Sequence, residues 1–95
     1  MILTVIAKMT AKQSKIEETK ALLQSLVAPT LKEEGCIQYD LHQGKPEEQV
    51  FFFYENWESR EALEKHLAND HLVEFKEKAQ SLLEKPMEVF LMHML

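Results

Sequence analysis

The stretch Cys36 to Trp57, CIQYDLHQGKPEEQVFFFYENW, decides the fold. Its first third alternates, with Ile37, Tyr39 and Leu41 on one side and Gln38, Asp40 and His42 on the other. That period of two is expected of a strand with one buried face. GKPEE supplies turn chemistry, and VFFFYENW follows as a second strand. So short a connection makes the pair an antiparallel hairpin.

Working outward, MILTVIAKM is rich in β-branched and aliphatic residues and reads as a strand over about Ile2 to Met9. Ser14 with Glu17 three residues on has the form of a capping box. Ile16, Leu23, Leu26, Val27 and Leu31 then keep a helical stripe, with Thr19 or Lys20 in the gap. Pro29 should bend this helix, because it lacks a backbone donor and crowds the preceding turn. Gly35 is the expected stop. Beyond the hairpin, Ser59 caps a short helix bearing Ala62, Leu63 and Leu67. The interruption Ala68-Asn69-Asp70 starts another, with Leu72, Phe75, Ala79, Leu82 and Leu83 in register. Pro86 ends it, and MEVFLMHML closes the chain as a fourth strand.

The order β-α-β-β-α-α-β predicts an α+β class, a ferredoxin-like antiparallel four-stranded sheet with helices on one face, in a single domain over residues 1–95. ILTVIA, VFFFY and VFLMHML, however, put large apolar side chains on both faces, the habit of strands covered on both sides. The helices cover one face only. A second copy packed sheet to sheet, an isologous homodimer, is the expected cover for the other.

The 95 residues carry a net charge of −5, which excludes the basic footprint of a nucleic-acid binder and disfavours anionic membrane surfaces. No apolar run approaches the roughly 20 residues of a membrane span. The N-terminus has no signal-peptide pattern and Cys36 has no partner for an internal disulfide, so the expectation is a cytoplasmic protein.

Chemistry-bearing residues are few. Cys36 and His42 lie about 20 Å apart along an extended strand, too far for a thiol–imidazole pair, and Cys36 reads as a small hydrophobe. His66 and His71 are five residues apart, about 140° on a continuous helix, which disfavours a metal pair. A helix break at Asn69–Asp70 would instead let both point into a common space at the margin of the core. Trp57 shares a strand face with Phe51, Phe53 and Glu55, while Phe52, Tyr54 and Asn56 take the other. A carboxylate among phenylalanines needs a partner, and Lys8, Arg60 or a histidine held in one tautomer are the candidates for Glu55.

LTVIAKM, TLKEEGCIQYDL and above all YENWESREALEKHLANDHLVEF resemble the antibiotic biosynthesis monooxygenase (ABM) family, nearest to its quinol-monooxygenase-like members. The likeness spans nearly the whole chain and rests on Glu-x-Trp followed by two histidines, the second in His-Leu-x-x-Phe. It implies a dimeric α/β barrel with a pocket between sheet and helices. There a quinol or related phenolic substrate reacts with O2 without metal, flavin or other cofactor. By the same resemblance His66 and His71 are the catalytic candidates, Trp57 and Glu55 the matching pocket residues, and Asn56 and Tyr54 further polar pocket groups. Asn69-Asp70 stands where such members commonly have Ser or Thr and then Pro. Ala7, His66 and Lys76 occupy the places where haem-degrading relatives carry Asn, Trp and His, which disfavours haem chemistry. A non-catalytic barrel binding a hydrophobic metabolite, or an isomerase of a small phosphorylated sugar, are the alternative readings.

Overall fold

The computed structural model describes residues 1–95. Strand β1 spans Leu3–Thr10, α1 Ile16–Leu31, β2 Cys36–Gln43, β3 Val50–Trp57, α2 Arg60–Leu67, α3 Asp70–Leu82 and β4 Glu88–Met92. The sheet order is β2-β3-β1-β4 with every neighbour antiparallel, the ferredoxin-like arrangement expected from the element order. The sheet is not closed, and the three helices share one face of it. No helix is long and apolar enough to cross a membrane.

Strict alternation sets the core. On β3, Phe51, Phe53, Glu55 and Trp57 are all buried, and Val5, Ala7 and Met9 continue that layer on β1. Leu23 and Leu26 of α1, Leu63 of α2, and Leu72 and Phe75 of α3 close over it.

Four local expectations are corrected. The Ser14–Glu17 box does not form: a 3-10 turn over Gln13–Lys15 leads into α1, whose first turn has no side-chain cap. Thr19 satisfies its hydroxyl on the Lys15 carbonyl instead and is the buried residue of the gap. α1 runs through Pro29 to Leu31, four residues short of Gly35, and buries Thr30 while leaving Leu31 half-exposed. On β2 a register shift between Cys36 and Gln38 places Cys36 opposite Trp57, so Cys36 packs inward and Ile37 is 49% exposed. On α2 it is His66 that turns into the core, at 2% exposure, while Leu67 is 38% exposed.

Gly35 fixes the join between α1 and β2. Its φ of 86° favours glycine, and a Cβ there would lie 2.5 Å from that of Ala62. The Gly35 carbonyl accepts from the Glu58 amide at 2.8 Å, which ties the loop after α1 to the end of β3.

Candidate functional site

Three separate elements bring their side chains to one point. Glu33 lies in the turn after α1, held as its amide donates to the Thr30 carbonyl and its own carbonyl accepts from the Cys36 amide. His66 lies in the last turn of α2. His71 lies in the first turn of α3, whose N-cap Asn69 accepts from the His71 amide. The helix break brings the two imidazoles, five residues apart in sequence, within 6.2 Å centroid to centroid.

The Glu33 carboxylate lies between them. His66 Nδ1 is 3.0 Å and His71 Nε2 2.8 Å from the same oxygen, Oε2. Sequence reasoning missed Glu33, whose place in KEEG resembles a solvated charge run. No local signal marks it, since the imidazoles it meets are 33 and 38 residues further along the chain.

The His66 ring packs against two aromatics, tilted on Trp57 at 4.6 Å between centroids and edge-on to Tyr39 at 5.6 Å. Tyr39 in turn stacks on Phe53 at 4.3 Å. His66 also lines a cavity of about 240 Å³ between sheet and helices, which Glu33 does not line; its walls are mostly apolar, with Glu55, Arg60, Glu64 and His66 the polar exceptions. With Nδ1 tied to Glu33, the Nε2 of this cavity-lining histidine is the ring nitrogen left without a protein partner. The mouth lies beside β4. Val89 and Leu91 face the helix side, opposite Ala7 and Val5, yet remain 48% and 42% exposed.

Glu55 is the second carboxylate. It pairs with neither Lys8 nor Arg60, and it holds no histidine; its Oε1 accepts from Trp57 Nε1–H at 2.9 Å. Burial raises its pKa to about 7, with the Trp57 hydrogen bond opposing and the Glu33 charge adding to the rise. Burial also lowers the His66 pKa, against the pull of Glu33, and so favours a neutral imidazole. The Tyr39 hydroxyl is pushed well above its ordinary range by burial, and the Cys36 thiol up to about 11 for the same reason. Cys36 is therefore protonated packing material.

The sequence-derived site residues thus divide. His66 and Glu55 line the cavity. Trp57 stands behind His66 as a wall for the imidazole, while Tyr39 and Phe53, which the sequence did not single out, form the aromatic lining. His71 faces an open groove with Ala28, Pro29 and Lys32. Tyr54 and Asn56 point to the opposite face of the sheet, where Asn56 accepts from the Thr4 hydroxyl and donates to Gln38. They do not line this cavity, because the strand's period of two separates them from Glu55 and Trp57. The three donor atoms of Glu33, His66 and His71 all lie within 4.8 Å of one another, a set that could hold a metal ion.

The class of protein is set by the architecture, a ferredoxin-like α+β sheet with a small, mostly apolar cavity between sheet and helices and a carboxylate-tethered histidine at its wall. The particular family follows from comparison. The family model "Antibiotic biosynthesis monooxygenase" matches residues 2–78, and the chain belongs to that family. It is 37% identical over 87 residues to the uncharacterized protein sll1783 of Synechocystis, covering 92% of this chain but only 59% of that relative's length. It is 37% identical over 78 residues to the protein named "Putative monooxygenase YcnE" of Bacillus subtilis, covering 82% of each. Among solved structures, PA3566 from Pseudomonas aeruginosa superimposes with a TM-score of 0.94 at 35% identity, over 99% of this chain and 94% of that one.

Proposed function

We propose that the protein is a monooxygenase that uses no cofactor and acts on a quinol or related phenolic ring, with His66 as the base. The observation that carries this reading is the His66 imidazole at the cavity wall, with Nδ1 tied to Glu33 and Nε2 left free of any protein partner. A carboxylate on one ring nitrogen fixes the tautomer with the lone pair on the other, which is the arrangement a general base needs. Nε2 takes the proton of a phenolic hydroxyl, and the Nδ1–H···Glu33 contact stabilises the imidazolium that forms. The deprotonated ring is electron-rich enough to reduce dioxygen directly. One oxygen atom ends on the ring and the other in water, with all four electrons supplied as the quinol becomes a hydroxyquinone. Tyr39 and Phe53 hold the ring in plane, and the apolar walls exclude bulk water. A cavity of about 240 Å³ suits one or two fused rings. A phosphorylated sugar fits less well, since the one Lys or Arg lining the cavity is Arg60, whose side chain is 70% exposed.

The working unit in this reading is a homodimer closed sheet to sheet into a barrel. Ile6 neighbours Tyr54 on one side and Phe90 on the other, and Phe52 extends the patch, all on the face no helix covers. A second copy supplies a matching apolar surface of the same shape.

The test is oxygen uptake by metal-free protein with a panel of hydroquinones, beside His66→Ala and Glu33→Gln. Uptake above autoxidation that His66→Ala abolishes and Glu33→Gln lowers by about 10²–10⁴-fold supports the reading. Uptake unaltered in both variants removes His66 from the role. No uptake with any quinol, together with ligand-induced stabilisation, favours a binding protein.

A further inference from the structure

We infer that Glu33, His66 Nδ1 and His71 Nε2 form a regulatory site for a divalent transition metal such as zinc, on the face of His66 away from the substrate cavity. The sequence spacing argued against a metal pair because it assumed one continuous helix. The break at Asn69 removes that objection, and the turn after α1 supplies a third ligand. Two imidazoles and one carboxylate are a common ligand set for zinc, which binds nitrogen at about 2.0–2.1 Å and oxygen at about 2.0–2.2 Å. Ligands at those distances stand roughly 3.0–3.4 Å apart for angles between a right angle and the tetrahedral value. The separations from Glu33 Oε2 are already 3.0 Å to His66 and 2.8 Å to His71. The two contacts to Glu33 therefore need to lengthen by only a few tenths of an ångström, and the two imidazole nitrogens, already within 4.8 Å of each other, close around the ion as the Glu33 carboxylate turns aside.

Which side the ion sits on decides what it does. Glu33 and His71 line the open groove with Lys32 and Asn69, while neither lines the cavity. A metal entering from the groove completes its shell with water and does not touch a ring in the cavity. It acts through His66. In the metal-free network both imidazoles donate to Glu33. On binding, each neutral ring keeps one proton but carries it on the nitrogen away from the metal, so the His66 proton moves from Nδ1 to Nε2. The nitrogen facing the cavity then has a proton and no lone pair, and it cannot act as a base. Zinc is thus an inhibitor, a consequence that rests on His66 being the base. The binding itself does not.

The experiment separates the two. The full chain, stripped with a chelator, is titrated with zinc by calorimetry and metal analysis, and its imidazole nitrogens are followed by long-range ¹H–¹⁵N NMR. The expected result is one zinc per chain, not displaced by excess Mg²⁺, with His66 changing from the Nδ1–H to the Nε2–H tautomer. His71→Ala, at a partly exposed position where folding should survive, and Glu33→Ala should each weaken binding by more than about 100-fold, beyond the loss typical of second-shell changes. Zinc binding that His71→Ala leaves intact would overturn the site and move it to surface histidines such as His42 or His93. Zinc bound at the site without the tautomer change would overturn the regulatory role. These readouts need no substrate, so they stand or fall whether or not quinol oxidation is found.

Discussion

The two faces of β3 have similar composition and different surroundings. Phe51, Phe53, Glu55 and Trp57 face the helices and are all buried, whereas Val50, Phe52, Tyr54 and Asn56 face away and stay partly exposed in the single chain. Aromatic content therefore does not set burial here; coverage does. The inner face carries the one buried carboxylate, held by Trp57, and sits under the histidine site. The outer face carries a polar ladder from Thr4 through Asn56 to Gln38 beside an apolar patch, the mixture expected of a surface that meets another protein.

The largest effect that would test this contrast comes from emptying the inner face. Trp57 is fully buried, backs His66 and donates to Glu55, so Trp57→Ala should cost about 3–5 kcal/mol in urea unfolding. Phe52→Ala on the outer face should cost far less when measured at protein concentrations where the chain is monomeric. Equal losses would mean that the two faces are covered alike.

Glu55 sharpens the comparison through pH. Its folded pKa of about 7 lies above the unfolded value of 4.5, so the folded state holds a proton that the unfolded state has already released. Its contribution to stability is complete below pH 4.5 and declines as pH rises to about 7, by a total on the order of 3 kcal/mol. Glu55→Gln should flatten that slope and be more stable than the parent at pH 8. An unchanged slope would locate the titration elsewhere.

On the outer face, Phe52→Asp should leave the monomer folded and weaken self-association by at least about 2 kcal/mol, roughly 30-fold in Kd, read by sedimentation equilibrium. A variant that associates as tightly as the parent would end the sheet-to-sheet dimer.

Much of the fold was legible because it rests on local signals that tertiary packing did not override. The alternation in VFFFYENW sorts its residues into the two faces correctly, Ser59 accepts from the Ala62 amide as an N-cap should, and Asn69 starts α3. The site was half legible. The histidine pair follows from the helix break, but Glu33 does not, since its partners are 33 and 38 residues away in sequence. Hydrophobicity also misled at α2. By composition Leu67 belongs in the core and His66 at its margin, yet Glu33 satisfies the imidazole and removes the cost of burying it. Arg60, Glu64 and Leu67 then rim the cavity instead of sealing it.

The smallest expected effect concerns the bulge at the start of β2. An unbroken alternation would put Ile37 inside with Tyr39, and there Ile37→Ser would cost several kcal/mol through lost burial and an introduced hydroxyl. The shift between Cys36 and Gln38 instead turns Ile37 outward, half-exposed, and gives the inner position opposite Trp57 to Cys36. Ile37→Ser should then change monomer stability by less than about 0.5 kcal/mol. Cys36→Leu should be the damaging change, because the larger side chain has to fit against the ring of Trp57, and overpacking of this kind costs about 1–3 kcal/mol. A large loss from Ile37→Ser with none from Cys36→Leu would restore the regular strand and take the bulge away. It would also shift the turn that carries Glu33 relative to Trp57, so two thermal melts on β2 also test the geometry on which the histidine site depends.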